Sequence, residues 1–294
     1  MDLRQLRVLV MVARHGSITR AAEAVHLTQS ALSLQLKALQ QSVGTPLFRR
    51  APRGMELLPA GRALLPHAQA ALTAIESFEA AASALSTQVS GRLRLGTILD
   101  PDFLRLGALL GLMLERHPAL HVDVSHGTSG WALSQVRGGE LDAGFYLGVP
   151  DDRRLHTAVL TAFRYRVTAP RAWKERVARA DFATLARLPW IWTPPDSVHN
   201  RLLSAKFAAL GATPRIAAQV DVEPSMLDLV RAGVGLSLVR ESLARAESRA
   251  GRVALTPITL DTELALVCLE RRRKEPALAT AFALAEEIWR ADAG

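Results

Sequence analysis

Residues 17–39 read SITRAAEAVHLTQSALSLQLKAL. Ile18, Ala21, Ala22, Val25 and Leu27 form one inward-facing set at helical spacing, and Leu32, Leu36 and Leu39 form a second. The small pair Ala21-Ala22 lets two helices approach closely, and His26-Leu27-Thr28 supplies a three-residue turn between them. This spacing predicts a helix-turn-helix, whose second helix enters the major groove of DNA. The outer face of that helix presents Gln29, Ser30, Ser33, Leu34 and Lys37. Gln29 stands at its start, where side chains meet base edges, and glutamine can pair with adenine in bidentate fashion. The hydroxyls of Thr28, Ser30 and Ser33 suit phosphates or bases, helped by the helix dipole.

The flanks extend the pattern. Residues 3–14 repeat apolar side chains at helical spacing and stop at His15-Gly16, where glycine can end a helix. Ser17 or Thr19 can cap a second short helix reaching about Val25, and Thr28 a third from Gln29 to about Val43, closed by Gly44. Residues 45–59 suit a small hairpin with its tip at Ala51-Pro52-Arg53-Gly54. Arg49, Arg50 and Arg53 cluster there and suit backbone or minor-groove contact by a wing. Further on, Leu64, Ala68, Ala71, Ile75, Phe78, Ala82 and Leu85 follow alternating steps of four and three, the spacing of a coiled-coil seam. Such a helix would run ~35 to 40 Å. A surface helix on a globular domain would show the same spacing over so short a run, but the Ala-rich, polar flanks favour a dimer seam. Pro66, near its start, could kink it.

Charge separates this segment from the rest. The 294 residues carry a formal +8. Residues 1–62 hold nine Lys and Arg against three acids, so +6 sits there and only +2 on the remainder. An anionic partner therefore belongs to the N-terminal segment. With 49% hydrophobic and 22% charged residues the chain is a folded one, and its length suits about two domains. No run approaches the ~18 to 20 apolar residues of a membrane helix, and the start, MDLRQLRVLV, lacks the features of a secretory signal. A single cysteine excludes an internal disulfide and a cysteine-rich zinc site, and fits a cytoplasmic protein.

After the small polar stretch 86–92, strand and helix signals alternate. Residues 92–98, 120–124 and 143–148 read as strands, 102–116 and 130–138 as helices, which argues for a mostly parallel sheet. Similar alternation returns at 164–169, 190–193, 197–210, 215–222, 225–232, 234–239 and 264–270, with a last helix from about Pro276 to Arg290. Two α/β lobes fit this better than one. Ligands of such proteins bind at strand C-termini, where helix N-termini point. Thr97 ends a strand with Asp100 close behind, Tyr146 ends another, and Trp192-Thr193 ends a third in the second lobe. Gly127-Thr128-Ser129-Gly130-Trp131 leads into a helix, and its free amides with the Thr128 and Ser129 hydroxyls could hold a carboxylate. Thr128 and Ser129 could equally be helix caps, and Trp131 and Trp192 core packing.

Nothing points to catalysis. The eight histidines are scattered, and the only close pair in a strand-like segment, His121 and His126, falls on opposite faces of a regular strand, a poor metal site. No metal or cofactor motif appears. Cys268 lies in the apolar run LALVCLE and reads as a buried structural thiol. This counts against an enzyme built on a two-lobed periplasmic-type fold; an enzyme or solute-binding protein on such a fold is the alternative reading. A purely architectural DNA binder would not need the lobes.

The stretch from Met1 to Gly61 resembles the N-terminal domain of the LysR-type transcriptional regulators, and GRLRLGT (91–97) and RGGELDAGF (137–145) are similar in layout to the remainder. The sequence departs from that pattern at Ser30, where Pro is usual, at Leu34, where Arg is common, at Gln40, where Glu is frequent, and at Leu58-Pro59. The resemblance implies an α + α/β protein: a winged helix-turn-helix (1–60), a long linker helix that dimerises (61–90), and an effector domain of periplasmic-binding-protein type (91–294). Lobe I of that domain is expected at about 91–162 and 264–294, and lobe II at about 163–263. Implied partners are a double-stranded DNA operator, a small-molecule effector, further copies of the chain in a dimer or tetramer, and RNA polymerase. Positions like Thr97, Thr128 and Thr193 often line the effector site in this family.

Overall fold

Side-chain oxygens start the first three helices. The Asp2 carboxylate accepts from the Gln5 amide (2.9 Å) while Gln5 Oε1 accepts from the Asp2 amide (3.0 Å), opening α1 (Leu3–His15). Ser17 caps α2 (Ile18–Ala24), and Thr28 Oγ1 accepts from the Ala31 amide (3.2 Å) to cap α3 (Gln29–Val43). Gly16 and Gly44 close α1 and α3 in the left-handed conformation. The computed structural model describes residues 1–25, 27–52, 54–84, 89–98 and 100–290, without the side chains of 76–77 and 79–84. The chain divides into two units, Met1–Ser86 and Thr87–Gly294.

In the first unit Val8, Leu9, Val12, Ala21, Ala22, Leu32, Leu36 and Leu39 make one core. Leu27, expected to face inward, is instead 38% exposed in the turn. Strands β1 (Phe48–Ala51) and β2 (Gly54–Leu57) form the antiparallel hairpin. Two contacts fix the hairpin against the helices. Gln40 Oε1 accepts from the amides of both Leu47 (2.7 Å) and Phe48 (3.1 Å). The Met55 amide donates to the Gly16 carbonyl (2.7 Å), an approach so close that a Cβ on Gly54 would strike that carbonyl.

Helix α4 (Pro59–Ala84) starts with proline, whose missing N–H costs nothing in a first turn, and continues past Pro66. Its base belongs to the first core: Ala68 is buried there, and Leu64 packs against the same cluster. These two side chains of the expected seam are therefore used within the chain. Ala71 and Ile75 are half-buried and Phe78 is 73% exposed. The Ala82 side chain and Leu85 lie outside the described residues.

The second unit begins with β3 (Gly91–Thr97), α5 (Leu106–Arg116), β4 (Leu120–His126), α6 (Ser129–Gly138) and β5 (Ala143–Leu147). Then come β6 (Leu155–Pro170), α7 (Lys174–Val177), α8 (Phe182–Ala186), β7 (Pro189–Trp192), α9 (Val198–Ala209), β8 (Arg215–Gln219) and α10 (Glu223–Arg231). The unit closes with β9 (Ser237–Arg240), α11 (Glu241–Arg249), β10 (Val253–Leu269) and α12 (Pro276–Arg290). Six strands form one sheet in the order β4-β3-β5-β10-β6-β9, while β7 and β8 pair in parallel and reach β9 through a bridge between Trp190 and Leu236.

The sheet is not mostly parallel. Strand β3 runs parallel to β4 and β5, but β10 is antiparallel to β5 and β6, and β9 is antiparallel to β6. The cause is the pair β6 and β10, 16 and 17 residues long, along which the chain leaves one end of the unit and later returns to it. Their register shifts where Leu264 pairs with Thr161 and Ala265 with Val159.

A buried ion cluster joins three strands of this unit. Asp142, before β5, accepts from the Arg94 amide and guanidinium (both 2.7 Å) and from Arg272 Nη1 (2.7 Å), while Arg272 also holds Glu275. Burial alone would raise the Asp142 carboxyl, but Arg94 and Arg272 hold it below the usual carboxylate range. Replacing Asp142 with Asn should destabilise this unit by about 3 to 5 kcal/mol, because Arg272 is left buried with half its partners. Urea unfolding followed by tryptophan fluorescence reads this unit alone, since all five tryptophans lie in it. A loss under ~1 kcal/mol would show the cluster to be loosely solvated.

Candidate functional site

The first unit presents one polar face. With Leu32, Leu36 and Leu39 buried, α3 turns Gln29, Ser30, Leu34 and Lys37 outward, and Ser33 is half-buried beside them. Leu34 is 69% exposed. Thr28 Oγ1 is shared between its cap and the Ser30 hydroxyl (3.1 Å). On the hairpin, Arg49 Nε donates to Glu56 Oε2 (2.7 Å), so part of its charge is answered within the chain. Arg50 is exposed and has no ion pair among the described residues; Arg53 lies outside them.

In the second unit a cleft of about 890 Å³ opens between the ends of β3 and β4 with α6 on one side, and the β7–α9 loop, α10 and β9 on the other. Of the positions expected from sequence, Asp100, Thr128, Ser129 and Trp131 line it. Thr97, Tyr146, Trp192 and Thr193 do not: each is buried behind the wall. Thr97 Oγ1 donates to the Ser125 carbonyl (3.3 Å), Thr193 bonds the Ser197 hydroxyl (2.5 Å), and Trp192 packs edge-on against Phe207. The Tyr146 hydroxyl accepts from Arg201 Nη1 (2.8 Å), and Arg201 also donates to the Leu147 carbonyl.

The start of α6 is not the free anion site expected from sequence. Ser129 Oγ accepts from the Leu147 amide (3.0 Å), and Thr128 Oγ1 accepts from the Trp131 amide (3.2 Å) to cap the helix. The Thr128 hydroxyl donates to the Asp196 carboxylate (2.5 Å), and the Gly130 amide donates to the Asp196 carbonyl (2.8 Å). Glycine is required here, since a Cβ would lie 2.5 Å from that carbonyl.

Sequence reading missed Asp196, His199, Asp221, Glu223 and Arg240, all of which line the cleft. Arg240 Nε donates to Glu223 Oε2 (2.6 Å), its amide donates to Glu223 Oε1 (2.8 Å), and its Nη2 stands 3.5 Å from Asp100. His199 stacks on Tyr165 with ring centroids 4.6 Å apart. Cys268, fully buried on β10, has its thiol pushed up to about 12 by burial, so it is chemically quiet. Among the described residues no group of three His, Cys, Asp or Glu is placed to hold a metal, and no helix is long and apolar enough to cross a membrane.

A winged helix-turn-helix unit joined in one chain to an α/β unit with a ligand-sized cleft defines a DNA-binding regulator with a sensor domain. Comparison with known proteins gives the family. Residues 3–62 match the model "Bacterial regulatory helix-turn-helix protein, lysR family", and residues 86–290 match "LysR substrate binding domain". The transcriptional regulator IlvR of Caulobacter vibrioides is 32% identical over 254 residues, covering 83% of this chain and 84% of its own. Among solved structures, full-length CbnR complexed with its target DNA is similar with a TM-score of 0.60 at 23% identity, covering 98% of this chain and 100% of the other. LysG of Corynebacterium glutamicum, with arginine bound as effector, also gives 0.60, at 20% identity and 99% coverage of each chain. The chain belongs to the LysR family of bacterial transcriptional regulators. It carries that family's helix-turn-helix and effector-binding domain.

Burial beside Arg240 holds His199 neutral, with its pKa lowered from 6.5 to about 4. As pH falls below about 6.5 the unfolded chain protonates this ring while the folded chain does not, so stability should drop through that window. Between pH 7 and pH 5 the contribution is about 2 kcal/mol, and replacing His199 with Phe should remove that much of the pH dependence. Urea titrations at both pH values measure it; equal slopes in the two proteins would show that the folded ring already takes up the proton.

Proposed function

We propose that the outer face of α3 reads the operator, with the hairpin on the adjacent backbone, and that the cleft of the second unit receives the effector. The supporting observation is the two-sided α3: one face is packed into the core by three leucines, and the other offers Gln29, Ser30, Leu34 and Lys37 to a partner. In this reading Gln29 meets a base edge, Thr28, Ser30, Ser33 and Lys37 meet bases or phosphates, and the arginines expected on the wing, Arg49, Arg50 and Arg53, meet the backbone or minor groove. Leu34 has no donor, and an exposed leucine on a groove-reading face matches the methyl group of thymine.

The reading extends to assembly and control. The part of α4 where Phe78 stands exposed is the surface for a second copy of the chain, with the half-buried Ala71 and Ile75 on the same helix; Ala82 and Leu85 belong to the expected seam. A dimer matches the two half-sites that such proteins address, and a tetramer matches two neighbouring sites. The division into lobe I (about 91–162 and 264–294) and lobe II (about 163–263) is supported by the register irregularity of β6 and β10 between Leu264 and Ala265. An effector that binds one arrangement of the lobes better than another would shift the DNA-bound assembly, and RNA polymerase is the partner on which the shift acts. The protein works as a receptor, not as an enzyme, and its DNA partner places it in the cytoplasm.

Titration of operator fragments at several salt concentrations tests the DNA reading. Gln29→Ala should cost about 1 to 3 kcal/mol at one base pair per half-site, while Leu34→Arg should bind all sequences more tightly and steepen the salt dependence by about one unit. Uniform weakening of every operator by Gln29→Ala would make Gln29 a backbone contact. An unchanged salt slope in Leu34→Arg would place that residue off the DNA.

A further inference from the structure

The charge and hydrogen bonding of the cleft restrict what it can hold. Four carboxylates line it, those of Asp100, Asp196, Asp221 and Glu223. Arg240 is the only Lys or Arg lining it among the described residues, and its charge is already answered. It is 8% exposed, pairs with Glu223 at 2.6 Å, approaches Asp100 at 3.5 Å, and lies over the Phe103 ring at 4.7 Å. Asp196 and Asp221 have no ion-pair partner among the described residues, and both are exposed to the cleft's solvent. An anion entering here would meet an excess of its own sign, in a cleft where such repulsion is screened less than on an open surface.

The place where an anion would otherwise dock is also taken. Helix N-termini offer free amides and a positive dipole end to negative groups. At α6 the chain supplies its own acceptors: the Asp196 carbonyl receives the Gly130 amide, and its carboxylate receives the Thr128 hydroxyl. A carboxylate ligand would have to displace both.

Two further features suit a cation carried on an apolar body. Trp131 stands in the wall and offers an aromatic surface, while Ile98, Met226 and Leu243 supply aliphatic surface around it. His199, 93% buried in the same wall, has an Nε2 with no hydrogen-bond partner. A buried polar atom left unpaired is destabilising, so a polar group of a ligand reaching it removes a standing penalty. We propose that the cleft takes a small molecule bearing a protonated amine or guanidinium, its positive group held by Asp100, Asp196 and Asp221. This rests on the cleft being the effector site and adds the chemical class of the effector.

The test is isothermal titration of the full-length protein with two pairs matched in body and opposite in charge: phenethylamine with 3-phenylpropanoate, and hexylamine with heptanoate. The amines should bind about tenfold more tightly than their carboxylate partners or better. Asp221→Asn should weaken the amines about fivefold and leave the melting temperature of the unliganded protein unchanged, since the exposed Asp221 carboxylate has no hydrogen bond or ion pair among the described residues. Carboxylates binding as tightly as amines, or no binding of either amine at millimolar concentration, would overturn the assignment of charge. Val222→Trp, on an exposed residue of the cleft, separates the two readings. Narrowing the cleft should weaken every ligand that binds there. Amine binding undiminished in Val222→Trp would sink the cleft itself as the binding site.

Discussion

The pairing of Leu155–Pro170 with Val253–Leu269 is the constraint on which the second unit is built. Neither strand can shorten without detaching something. At one end they carry β5, and through it β3 and β4; at the other β6 carries β9, which meets β7. Two strands of such length twist along their run, and the register slips between Leu264 and Ala265, where one end gives way to the other. A cleft between the ends follows from this geometry. The elements on either side of it are linked through two strands rather than through a shared sheet edge, and they meet again only through side chains and loop carbonyls such as those of Arg201 and Asp196.

Those meeting points put polar groups into a cleft whose surface is otherwise mostly apolar. Helices α6, α9 and α10 begin near the cleft, and the first two starts are capped from within the chain: α6 by Thr128 and Asp196, α9 by Ser197. No side chain caps α10, whose first turn carries the acid Glu223 with both oxygens bound to Arg240. The acidic excess of the cleft is thus partly the chain's own answer to helix starts gathered in one place.

The sequence was most readable where a side chain's role is local. Caps, the glycine helix ends, the two-sided α3 and the order of strands and helices are set within a few residues of the chain, and Thr28, Ser17 and Gly44 sit where spacing placed them. Roles that depend on distant partners were not readable. Asp196 and Thr128 are 68 residues apart, and nothing around Pro194-Pro195-Asp196 signals a partner for a helix start. The strands 155–163 and 253–263 escaped because they alternate polar and apolar residues weakly, being held by each other over long range rather than by local preference. Thr97 and Thr193 end strands near the cleft as expected, yet their hydroxyls turn to Ser125 and Ser197, a choice that only packing decides. Gln40 looked like a mere substitution for an acid; in the fold its amide oxygen serves two backbone donors that a shorter side chain could not reach.

One feature of the first unit bears on how geometry travels along it. Because Leu64 and Ala68 are part of the same core as Leu32 and Leu36, α4 is not hinged to the helix-turn-helix but welded to it. A helix keeps its bearing along its length, so in the dimer proposed above the crossing angle of the two α4 helices would set the angle between the two α3 faces. The separation and tilt of the half-sites such a pair could address would then be properties of a rigid protractor whose arms are the α4 helices, not of the side chains on α3.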